Sequence, residues 1–196
     1  QFGVLVRTNS LTRALEEAFV RENLPYAVSG GMSFFQRAEV KDLLAYLRVL
    51  ANPDDEVSLV RILNTPRRGI GRRTLEAAVH TARSRSCSLF GALNLLHSGE
   101  AGGAEAPADK AREPIGEFLE LLEEFRDRFH KGKRQMAAAL RELVDRIDYW
   151  GHLVQENPKG SVARWKLSNV GSMVGSLAAY EKDPDNLDPT LYQYLN

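Results

Sequence analysis

The sequence predicts a mainly α protein, a multi-helix domain with helix-hairpin-helix-like elements preceded by a partial α/β segment. Three observations predict it. Apolar residues recur at three- and four-residue spacing from Glu39 almost to the last residue. The only strand-like runs, Phe2 to Thr8 and Pro25 to Ser29, fall in the opening stretch. Asn52-Pro53-Asp54-Asp55 then breaks the chain where its class changes, dividing it into residues 1–53 and 54–196.

Phe2-Gly3-Val4-Leu5-Val6-Arg7-Thr8 is a short continuous apolar run that reads as a strand buried on both faces. Asn9 or Ser10 can cap the helix that follows, where Leu11, Ala14, Leu15, Ala18 and Phe19 share a face through Arg21. Pro25 to Ser29 reads as a second strand, ended by Gly30-Gly31. Two strands and one helix leave most of a sheet unpaired, so the remaining strands are expected in flanking sequence. Opening on Gln1 and running straight into a strand pattern, the chain reads as an internal piece of a larger one.

Val40, Leu43, Leu44, Leu47 and Leu50 give the inward face of a helix over 39–50. Asp54 and Asp55 can cap the next, over 56–63, with Val57, Leu59, Val60 and Leu63 apolar. A helix from about Thr74 to Arg83 follows, and a short one over 89–96. Residues 98–114 hold almost no large apolar side chain and are expected to form a flexible loop. Phe118, Leu119, Leu121, Leu122, Phe125 and Phe129, then Met136, Leu140, Leu143, Val144 and Ile147 across Gly132, predict two antiparallel helices. Ser161 to Tyr180 predicts another, with Trp165 in the core. Asp183-Pro184-Asp185-Asn186 ends it, and Pro189 starts a last short helix.

The chain carries 26 Lys+Arg and 26 Asp+Glu, so no global field steers it to a polyanion. The local balance differs. Between Arg61 and Arg85 stand seven arginines and one acid, Glu76, a regional charge of +6 that leaves −6 elsewhere. Within that region Asn64-Thr65-Pro66-Arg67-Arg68-Gly69-Ile70-Gly71-Arg72-Arg73-Thr74 runs from a stopped helix through two glycines into a new helix. Glycines let the backbone come close to a partner, a helix start offers unpaired N–H groups, and arginine forks match phosphate geometry. The same residues also suit a plain helix-to-helix turn with its arginines in water, because Gly-x-Gly alone is a weak motif.

No phosphate-binding Gly-x-x-x-x-Gly-Lys-Ser/Thr, no His-Glu-x-x-His and no Gly-x-Ser-x-Gly occurs. His80, His97, His130 and His152 are scattered, and Glu120, Glu123 and Glu124 belong to a solvated helical face, so no catalytic residue and no metal ligand is assigned. The lone Cys87 cannot form an intrachain disulfide, and a reducing, cytoplasmic location is expected. No apolar run is long enough to span a bilayer, and no membrane partner is expected.

Val4-Leu5-Val6-Arg7-Thr8-Asn9-Ser10, Arg13-Ala14-Leu15-Glu16-Glu17, Pro25-Tyr26, Gly30-Gly31, Phe34-Phe35-x-Arg37-x-Glu39-Val40-Lys41-Asp42, Ala45-Tyr46-Leu47-Arg48, Asn52-Pro53-x-Asp55 and Asn64-Thr65-Pro66-x-Arg68-Gly69-Ile70-Gly71 follow one another at a characteristic spacing. In these blocks, over roughly residues 2–80, the chain resembles the UvrD/Rep/PcrA family of superfamily 1 DNA helicases. The resemblance implies that residues 1–53 are part of the RecA-like motor domain 2A and that 54–196 are the helical insertion 2B. It implies a parent enzyme that couples ATP hydrolysis to 3′-to-5′ movement on DNA. ATP and Mg2+ would be bound by parts of the parent outside this fragment, which alone would be inactive and hold no cofactor. Arg7 and Asn9 match a turn that approaches single-stranded DNA, and Gly69-Ile70-Gly71 matches a loop that meets duplex phosphates. Arg67, Arg68, Arg72, Arg73 and Thr74 surround that loop, more arginine than the family pattern requires. The implied partners are single-stranded and duplex DNA, bound without regard to sequence, with repair or replication proteins as further partners. Two other readings stay open: a regulatory, protein-interacting domain that restrains the motor, and a freestanding helix-hairpin-helix DNA-binding protein.

Overall fold

A computed structural model describes the chain apart from residues 1, 8, 23, 29–32, 102–108, 133 and 196, and apart from the side chains of 9, 10, 13, 17, 20, 109 and 110. Ten α-helices are described: α1 (Asn9–Arg21), α2 (Ala38–Ala51), α3 (Glu56–Ile62), α4 (Arg72–Arg85), α5 (Leu89–Ser98), α6 (Asp109–Lys131), α7 (Met136–Arg146), α8 (Tyr149–Glu156), α9 (Gly160–Lys182) and α10 (Leu191–Leu195). A 3-10 turn, Phe34–Gln36, precedes α2. Among the described residues no helix is long and apolar enough to cross a membrane.

The core forms around α2 because that helix is apolar on nearly every side. Val40, Leu43, Tyr46, Leu47, Val49 and Leu50 are each at most 1% exposed, and α2 packs against α3, α6, α9 and α10. One core therefore runs across residue 53, joining α2 to Leu59, Phe118, Phe125, Leu140, Met173 and Leu177. Side chains close the helix ends. Asp55 accepts from Ser58 N at 3.0 Å and caps α3, while Ser88 caps α5 and Asp148 caps α8. At the start of α7 the cap comes from far away in the chain: the buried Glu181, in the last turn of α9, accepts from Ala137 N at 3.1 Å. On the N-terminal side, Glu16 of α1 is 2% exposed and accepts from Phe34 N, Tyr26 Oη and Ser33 Oγ, tying α1 to the 3-10 turn.

Four expectations are corrected. Neither predicted strand forms: described residues 2–7 and 24–28 have no ladder, and Phe2 and Leu5 are fully exposed. A strand is made by its neighbours, and these two segments do not pair with each other; residues 8 and 29 of the same predictions lie outside the described residues. The expected loop over 98–114 is in part helix, since α6 already begins at Asp109 and carries Pro114 in its second turn. Ile115, fully buried, supplies the packing that the preceding composition lacks; 102–108 of that loop lie outside the described residues. In α3, Val57 and Val60 are exposed while Ile62 is buried, because seven residues are too few to fix a helical phase. Trp165 is 52% exposed rather than core. The buried stripe of α9 runs through Ala163, Val170, Met173, Val174 and Leu177, and Trp165 stands about 200° round the helix from Ala163.

Candidate nucleic-acid interface

Residues 63–71 connect α3 to α4, held both to the body of the protein and by bonds within the loop. Tyr46, buried in the middle of α2, donates its hydroxyl hydrogen to Thr65 O at 2.7 Å. Burial pushes that phenol's pKa upward, so it remains a donor at neutral pH. Arg68 Nη2 donates to Tyr46 Oη at 2.5 Å and to Thr65 O at 3.3 Å, and its guanidinium lies 4.6 Å from the centre of the Phe118 ring on α6. Its own backbone N–H donates to Asn64 Oδ1 at 2.9 Å. Ile70, 2% exposed, fills the core beneath the loop.

The glycines have different tasks. Gly69 adopts φ +82°, the left-handed region open to glycine, and so turns the chain between Arg68 and Ile70. Gly71, at φ −88°, is the N-cap of α4; its carbonyl accepts from Thr74 N and Leu75 N, both at 3.1 Å, and a Cβ there would meet open space. Gly69→Ala is expected to lower the unfolding free energy by about 1 kcal/mol, read from urea titration, because alanine must be held at positive φ. Gly71→Ala should cost less.

Around this turn the side chains alternate in direction. Arg67, Gly69, Gly71, Arg72 and Arg73 are exposed, Arg68 is half-buried, and Ile70 and Thr74 are buried. The structure thus brings Arg67 of the loop and Arg72 and Arg73 of the first turn of the fourteen-residue α4 to the surface, and the first N–H groups of that helix have no acceptor within it. Arg72 Nε pairs with Glu76 at 2.8 Å, but this i,i+4 pair is largely solvated and worth only a few tenths of a kcal/mol. It can yield to a stronger anion. Three of the seven regional arginines are turned to other work: Arg61 binds Asp42 at 2.7 Å, Arg85 donates to Glu100 O and Ala101 O at 3.2 Å, and Arg68 faces inward.

Of the other predicted pair, Arg7 is exposed on a separate segment before α1, and Asn9 opens α1 with its side chain outside the described residues. Sequence reasoning missed Tyr46, Asn64 and Phe118 as supports of the loop. Tyr46 and Phe118 lie in apolar stripes and read as ordinary core; the only polar signal is the tyrosine hydroxyl, which needs a partner when buried.

The UvrD-like helicase C-terminal domain model matches residues 1–190. The chain is 37% identical over 172 residues to the ATP-dependent DNA helicase Rep of Salmonella typhimurium, covering 88% of this chain and 24% of that protein. It is 37% identical over 184 residues to the ATP-dependent DNA helicase UvrD1 of Mycobacterium tuberculosis, covering 94% of this chain and 23% of that protein. It is 34% identical over 197 residues to the ATP-dependent DNA helicase PcrA of Staphylococcus aureus, covering 98% and 25%. The chain therefore spans about a quarter of the length of the curated relatives it matches.

Proposed function

Since this chain belongs to the UvrD-like helicase C-terminal domain family, we propose that it is the DNA-gripping part of an ATP-dependent 3′-to-5′ DNA helicase, with the α3–α4 loop and the first residues of α4 seated on the phosphates of duplex DNA. Residues 1–53 then belong to motor domain 2A and 54–196 to the 2B insertion, and Arg7 and Asn9 approach the single strand. The parent's ATP and Mg2+ are bound elsewhere, and no residue of this chain is given a part in nucleotide chemistry. The observation that carries the reading is the outward set Arg67, Arg72 and Arg73 around the exposed Gly69 and Gly71 at the start of α4.

The chemistry of such a grip is electrostatic. Arginine forks and helix-terminal N–H groups hold phosphate oxygens and leave base edges unread, so binding is independent of sequence and steep in salt. The test is duplex affinity across several salt concentrations, for this chain and for the longer natural polypeptide that contains it. Arg72→Glu/Arg73→Glu is expected to weaken binding at every salt concentration and to make the logarithmic salt slope shallower by about two, near one for each phosphate no longer neutralised. Unchanged affinity with an unchanged slope would sink the proposal.

A further inference from the structure

Arg68 sits in the middle of the basic cluster and yet faces away from the surface that cluster presents. Its Nη2 is shared between Tyr46 Oη at 2.5 Å and Thr65 O at 3.3 Å, and its plane lies over Phe118 at 4.6 Å. Nη1 is buried with no hydrogen-bond partner. A guanidinium gives up much of its hydration in such a place, and of the offsetting contacts Tyr46 and Phe118 join the loop to α2 and α6 while Thr65 O closes the loop on itself. We propose that Arg68 is a positioning residue of the duplex grip: clamped by Tyr46, Thr65 and Phe118, it holds the turn so that Arg67, Arg72 and the Gly69 and Gly71 backbone face the DNA, and it contacts no phosphate itself. This rests on the reading of the loop as a phosphate seat.

The geometry explains why arginine stands there. Its plane stacks over the Phe118 ring while Nη2 reaches two acceptors, whereas a lysine ammonium has no plane to lay on the ring. The clamp also closes on itself. Tyr46 gives its hydrogen to Thr65 O and accepts from Arg68, so the hydroxyl oxygen joins the carbonyl at the loop's start to the side chain at its centre. Without it, the turn must be ordered when DNA binds, and affinity falls by that ordering cost while the number of neutralised phosphates stays the same.

The test measures binding of this chain to a short mixed-sequence duplex across a salt series, with amide hydrogen exchange of residues 69–73 followed in parallel. Arg68→Ala is expected to bind about fivefold more weakly, with the wild-type salt slope and faster exchange in the loop. Arg68→Lys should not restore affinity. Tyr46→Phe, which keeps the ring and removes only the hydroxyl, should show the same pattern at about half the effect, and adding it to Arg68→Ala should weaken binding no further. The phenylalanine variant carries the test should Arg68→Ala fail to fold. A slope shallower by about one in Arg68→Ala would make Arg68 a phosphate contact and overturn the proposal. So would wild-type affinity in Arg68→Ala or Tyr46→Phe while Arg72→Glu/Arg73→Glu still weakens binding. If the charge-reversal variant also binds as wild type, the reading of the loop as a grip falls, and the role of Arg68 falls with it.

Discussion

Arg37→Ala is expected to lower the unfolding free energy by about 3 kcal/mol, the scale for breaking a buried ionic network by removing one member. Arg37 is 9% exposed, at the N-cap of α2. Its Nη1 donates to Asn169 Oδ1 at 2.7 Å, and Asn169 Nδ2 donates to the buried Glu39 Oε1 at 2.6 Å. The guanidinium also lies 5.5 Å from the Phe34 ring centre and 4.8 Å from that of Trp165. Burying the arginine is itself costly, and its Nε has no partner, so the intact network adds little net stability over an apolar substitute. The loss arises from what the deletion leaves behind, an orphaned asparagine carbonyl and a buried carboxylate with less compensation. A thermal melt should shift down by roughly 6 to 12 °C for a chain of this length. Asn169→Ala should cost about 2 kcal/mol, and the double variant less than the sum, because the two side chains act as one unit. An unshifted melt in Arg37→Ala would mean that the network does not hold the fold.

Ile70→Ala is the second large expectation, about 2 to 3 kcal/mol, at the lower end for a buried isoleucine because a loop can partly collapse into the space left. The side chain is 2% exposed between an exposed Gly69 and an exposed Gly71. It is the apolar counterpart of the polar clamp at Arg68, pinning the loop from below. Urea denaturation should show a lower midpoint with an unchanged slope, and Ile70→Val should lose about 1 kcal/mol. A midpoint unchanged in Ile70→Ala would mean that the loop is not anchored through its central residue.

How far the sequence discloses the molecule depends on whether the deciding neighbour is local. The α6–α7 hairpin and α2 are legible because their apolar residues repeat within each helix and need no further information. Over described residues 2–7 and 25–28 the strand expectation fails for the opposite reason, since an apolar run becomes a strand only beside another strand. Trp165 fails as a core residue because its class favours burial while its phase on α9 faces outward, against an arginine 128 positions earlier. The basic loop shows the same limit most sharply. Arg67 and Arg68 are adjacent and chemically identical, and what separates an exposed cation from a clamped one is a tyrosine 22 residues before and a phenylalanine 50 residues after. A charge count sees both as +1.

Helix α2 is engaged by one arginine at each of two levels. At its N-cap Arg37 grips α9, and nine residues later Tyr46 grips the loop, a separation of about 14 Å along a straight helix. Mechanically that makes α2 a strut. A tug on the loop would pass through Arg68 and Tyr46 into α2, whose other end is tied through Arg37 to Asn169 in the middle of α9.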